Sequence, residues 1–71
     1  TKQEERSRKR KIERLEQLIF ALEEQIASLE SELARPEVYS DYTRAQELND
    51  TIQELKKQLD EHYEEWEKLS S

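Results

Sequence analysis

The chain has no glycine, no cysteine and no methionine, and its single proline is Pro36. Without glycine there are few positions where the backbone can turn sharply or adopt positive φ. Without cysteine, a disulfide framework and a thiolate metal site are both excluded, which suits a reducing compartment. No Gly-rich loop exists to cradle a phosphate. One histidine and no cysteine leave no nucleophile–base pair, so the segment is expected to carry no catalysis of its own. No apolar run approaches membrane-spanning length, and no signal-peptide pattern is present. No membrane partner is expected.

What remains is charge: 42% of the 71 residues are charged and 32% are apolar. A compact globule of this size buries too little surface to be more than marginal. A long thin fold needing one apolar stripe fits better. The chain starts at Thr1 rather than Met, and it is expected to be a fragment of a larger protein. The net charge of −6 conceals an asymmetry. Residues 1–14 hold seven bases and three acids, whereas residues 15–71 hold five bases and fifteen acids.

Apolar residues in the first half fall at Ile12, Leu15, Ile19, Leu22, Ile26, Leu29 and Leu33. The spacing alternates 3 and 4 without a fault, which names a coiled-coil seam. The second half repeats it with Ala45, Leu48, Ile52, Leu55, Leu59, His62, Trp66 and Leu69. Pro36 disfavours helix at Arg35 and ends the first run. The fold expected is all-α, a two-helix antiparallel coiled-coil hairpin. Residues 1–11 form a basic linker or helix start, and 12–71 form the hairpin. Its helices are expected at about 5–35 and 42–69, around a tip at 36–41. The connection is too short for a flexible linker, which favours antiparallel neighbours and a monomeric hairpin. Ser40 or Asp41 is the candidate N-cap of the second helix. Val38, Tyr39 and Tyr42 are candidates to close the tip over Leu33.

Two registers satisfy this pattern. The first sets Leu22 against Ile52, Leu15 against Leu59 and Ile12 against His62, with Trp66 over the Arg8 stem. It brings together Lys11–Glu65, Glu16–Lys56 and Glu32–Arg44, and keeps the helices level at the tip. The second slips by one heptad, setting Leu33 against Leu48, Leu22 against Leu59, Leu15 against Trp66 and Ile12 against Leu69. Its core is more apolar, but its flanks gain only Glu23–Lys56. Exposed ion pairs are worth about 0–1 kcal/mol each, so charge alone does not decide. Level helices at the tip favour the first register.

The basic segment is the strongest functional signal. Arg6, Arg8, Lys9, Arg10, Lys11 and Arg14 are the candidate nucleic-acid-binding residues, through non-specific contact with phosphates. No aromatic is interleaved among residues 1–14, so base stacking is not expected. The blander reading is a solvated basic helix, or one paired with the acidic end of the second helix at Glu61, Glu64, Glu65 and Glu67. His62 with Glu61 and Glu65 is a weak metal candidate beside the simpler reading of a seam histidine, and no metal site is expected. Phe20 lies outside the seam, as an anchor for a partner or as a lone exposed aromatic. Trp66 is read as core.

The run from Lys9 to Leu69 resembles the C-terminal coiled-coil domain of the ABC-F ATPases, Uup type. The features that carry the resemblance are the tip Pro36, Val38, Tyr39, Ser40, Asp41 and the closing Tyr63, Trp66, Leu69. The resemblance implies a cytoplasmic bacterial parent with two ATP-binding cassettes, which would hold ATP and magnesium. No cofactor is implied for this segment. It also implies an arm that follows the second cassette through a basic linker. Ribosome or DNA contact would then come through basic residues. Here the surface beyond Arg14 is acidic, so contact is expected at the six basic residues named above. The rival expectation is a structural segment for coiled-coil oligomerisation or protein–protein adaptation.

Overall fold

The computed structural model describes all of residues 1–71, as three helices and no strand. Helix α1 spans Lys2–Leu33, α2 spans Pro36–Tyr39 and α3 spans Tyr42–Ser70. Helices α1 and α3 pack against each other in a hairpin measuring 57 × 14 × 13 Å. Helix α1 begins at Lys2, so the basic segment is helical. A capping box sits at Thr1. The Thr1 hydroxyl accepts from the Glu4 N–H at 3.3 Å, and the Thr1 nitrogen donates to Glu4 Oε2 at 3.4 Å.

Helix α1 ends at Leu33 because Pro36 holds Arg35 extended, at φ −75° and ψ 133°. The tip then forms a one-turn helix of its own, with Pro36 in its first turn. Val38 is the most buried side chain of the molecule, at 1% exposure. Tyr39 and Tyr42 instead point outward, at 59% and 78% exposure, so Val38 alone of the three closes the tip. Asp41 caps α3, its carboxylate accepting from the Arg44 N–H at 3.3 Å.

The core is one stripe: Leu15, Ile19, Leu22 and Ile26 of α1, Ile52 of α3, and Val38. The other seam positions of both helices are half-buried, His62 and Trp66 among them. Three observations fix the register. The Tyr63 hydroxyl donates to Glu23 at 3.0 Å. Lys56 Nζ lies 3.6 Å from Glu30. Trp66 lines a groove with Glu16, Ile19 and Phe20. In the first register Tyr63 would sit twelve residues, or about 18 Å, from the level of Glu23. That register is therefore overturned, and the one-heptad slip is the one these contacts satisfy.

The flanking contacts also differ from those expected. Glu32–Arg44 forms, at 2.8 Å, by the reach of the arginine near the tip. Lys11–Glu65, Glu16–Lys56 and Glu23–Lys56 do not, and Lys56 meets Glu30 instead. Side chains lean toward the N-terminus of their own helix, so partners across an antiparallel pair are offset along the axis. Glu30 leans toward the root and Lys56 toward the tip, and they meet between.

Candidate nucleic-acid interface

The slipped register leaves the beginning of α1 without a partner. Ser70, the last residue of α3, reaches the level of Lys11. Residues 1–11 are exposed throughout, and Ile12 is the first half-buried position. Residues 1–10 thus lie beyond the level of Ser70, over about 15 Å of helix. Its seam line ends for a simple reason: the positions that would continue it are Arg8 and Glu5, which offer nothing apolar to bury.

All six expected residues, Arg6, Arg8, Lys9, Arg10, Lys11 and Arg14, lie exposed on the first half of α1, Arg14 within its paired stretch. None of them enters an ion pair, and the alternative pairing with Glu61, Glu64, Glu65 and Glu67 does not form. Helical spacing divides them. Arg6, Arg10 and Arg14 recur every fourth residue, about 6 Å apart, along the face opposite the seam, with Lys2 at the same flank as Lys9. Arg10, Lys11 and Arg14 border one shallow depression with Ser7, Glu13 and Gln17. Lys9 and Lys11 stand at the two flanks, and Arg8 continues the seam side. The helix thus presents a row of guanidinium groups already separated along one face. Arginine forks match phosphate oxygens bidentately.

A second feature lies tipward of Arg14. Phe20 from α1 and Tyr63 and Trp66 from α3 gather around a groove of ≈ 280 Å³, with Glu16, Ile19 and Glu23 completing the lining. Phe20 is 62% exposed and Tyr63 42%. The Glu23 carboxylate, accepting from the Tyr63 hydroxyl, holds that phenol above its usual value; desolvation and the carboxylate's charge act in the same direction. The indole nitrogen of Trp66 is buried and has no hydrogen-bond partner. Reading Phe20 as an isolated aromatic missed this cluster, because the favoured register placed Trp66 beside Arg8. The available signal was that the slipped register sets Trp66 against Leu15, about one and a half turns from Phe20.

His62 is half-buried in the seam, and no three carboxylate, imidazole or thiolate groups gather closely enough to hold a metal. No helix is long and apolar enough to cross a membrane.

No curated protein and no solved structure matches the chain. The family model for the ABC transporter C-terminal domain matches residues 3–71, from the projecting basic turns through the tip to the end of α3. An antiparallel hairpin that is nearly all seam and charged surface, matched over almost its whole length, belongs to the ABC transporter C-terminal domain family.

Proposed function

We propose that this hairpin is the accessory C-terminal arm of a cytoplasmic ABC-F ATPase of the Uup type, and that its projecting root contacts the phosphates of DNA or ribosomal RNA. The observation that carries this reading is the row Arg6, Arg10 and Arg14, exposed on the outer face of α1 and without an ion-pair partner. Charge supports the location. The remainder of the surface is acidic and repels a polyanion, so the root is the one place where a phosphate backbone is attracted.

The mechanism is electrostatic and sequence-tolerant. Arginines spaced by one turn neutralise successive phosphates and release their counterions. The absence of aromatics among residues 1–14 leaves nothing for a base to stack on. The arm itself does no chemistry. Nothing in the 71 residues forms a phosphate cradle, so ATP and magnesium belong to the cassettes of the parent. The arm would act by holding the parent in one orientation on its nucleic-acid partner.

The test is a salt series with duplex DNA and with single-stranded and duplex RNA, read by fluorescence anisotropy. Three to four phosphate contacts give a log–log slope of about −3 to −4 on duplex DNA, at about 0.9 per contact. A slope near zero, or no binding at low salt, removes the proposal.

A further inference from the structure

The aromatic groove lies outside the basic root, and its surroundings are of opposite sign. Glu16 and Glu23 line it directly. Glu13 borders the adjoining depression beside Phe20. Asp60, Glu64 and Glu67 border the next one, beside Tyr63 and Trp66. No lysine or arginine lines any of the three. The chain's one phenylalanine, its one tryptophan and one of its three tyrosines thus share a patch ringed by six carboxylates.

We propose that the groove formed by Phe20, Tyr63 and Trp66 docks a basic polypeptide segment, with a Lys or Arg side chain held against the aromatic faces. Aromatic faces carry a negative quadrupole and attract a cation. The carboxylates add long-range attraction for the same sign and exclude nucleic acid, so the groove and the root select different partners. One detail favours a polypeptide over a simple polycation: the exposed face of Phe20 suits the aliphatic stem of Lys or Arg as well as its head. The inference stands on the groove alone and does not depend on nucleic-acid contact at the root.

Trp66 is the only tryptophan, so its emission reports on the groove directly. The full chain is titrated with a helical alanine peptide bearing lysine at every fourth position, and with the same peptide bearing glutamate. Saturable change in Trp66 emission with the lysine peptide only is expected. Phe20→Ala, at an exposed position that tolerates truncation, should weaken binding about threefold to fivefold. The double change Glu16→Gln with Glu23→Gln should weaken it further. The equally charged change Glu47→Gln with Glu54→Gln, away from the groove, should leave it within about twofold, since exposed charges farther than a Debye length are screened. Equal weakening by the two double variants would overturn the proposal in favour of general charge attraction. A stable dimer dispersed by Phe20→Ala would overturn it in favour of a second copy in the groove. No saturable change with the lysine peptide would overturn it outright.

Discussion

Two cysteine pairs distinguish the registers directly. In the slipped register Leu22 faces Leu59, and Ile52 lies seven residues, or about 10.5 Å along the axis, from that level. A disulfide needs Cα atoms about 4.4–6.8 Å apart, so Leu22→Cys with Leu59→Cys closes with little backbone adjustment, and Leu22→Cys with Ile52→Cys does not close. The loop closed by the first pair is about 38 residues, and its closure entropy corresponds to about 4 kcal/mol. For a domain this small, 1 kcal/mol moves the melting temperature by about 4–8 °C. Oxidation of the Leu22/Leu59 pair should therefore raise the midpoint by about 15–30 °C over the reduced form, less whatever strain the bond introduces. The assay is thiol titration and non-reducing electrophoresis after mild oxidation, followed by circular dichroism melts with and without reductant. Efficient closure of Leu22 with Ile52, and poor closure of Leu22 with Leu59, would refute the register and with it the projecting root.

Other consequences follow from single side chains. Val38→Ala removes two methyl groups at 1% exposure and should cost about 2 kcal/mol in urea unfolding, loosening the tip without unseating the seam. Asp41→Ala removes the α3 cap and should cost about 1 kcal/mol, with Asp41→Asn close to neutral. The Tyr63 phenol is raised above its ordinary value, so its neutral form is favoured by folding. That contribution is fully present below about pH 10, the unfolded phenol's value, and is lost as pH rises through the folded one. Urea midpoints should thus fall as pH rises above about 10, and less steeply in Tyr63→Phe. Sedimentation should give a concentration-independent species of 8.6 kDa; a stable dimer would favour the oligomeric reading of the coiled coil.

The heptads were legible because a strict 3–4 alternation has one structural meaning, and both long helices follow from it. The stop at Arg35–Pro36 was legible because the proline ring restricts the residue before it. The register was not, because two apolar patterns of the same period match at every heptad shift. The argument from a level tip failed for a specific reason. Pro36–Tyr39 coils into an extra turn that buries Val38, so α3 begins well beyond the end of α1 rather than level with it. Burial then outweighs charge. The slip brings Trp66 and Leu69 opposite Leu15 and Ile12, and apolar burial at about 25 cal/mol per Å² exceeds a few exposed ion pairs worth about 0–1 kcal/mol each.

The site divides in the same way. The basic residues could be named from composition, since a run of seven bases in fourteen residues is visible without a fold. Their division between an outer row and a seam side needed only helical spacing once α1 was known to continue to Lys2. That the row projects free of α3 depends on the register. The aromatic groove depends on it too, because Phe20 and Trp66 lie 46 positions apart and meet only in the slipped pairing.

The most direct test of the root's role compares two variants of equal charge. Arg6→Gln with Arg10→Gln removes two guanidinium groups from the outer row, and Arg8→Gln with Lys11→Gln removes two charges from the seam side and one flank. Both are exposed and leave the seam intact. Binding of duplex DNA and duplex RNA is measured from low to moderate salt. The outer-row variant should lose about two units of log–log salt slope, at about 0.9 per phosphate contact, while the other keeps a slope close to that of the parent chain. Equal losses in the two variants, or a larger loss from Arg8 and Lys11, would contradict a phosphate-binding face on the projecting helix.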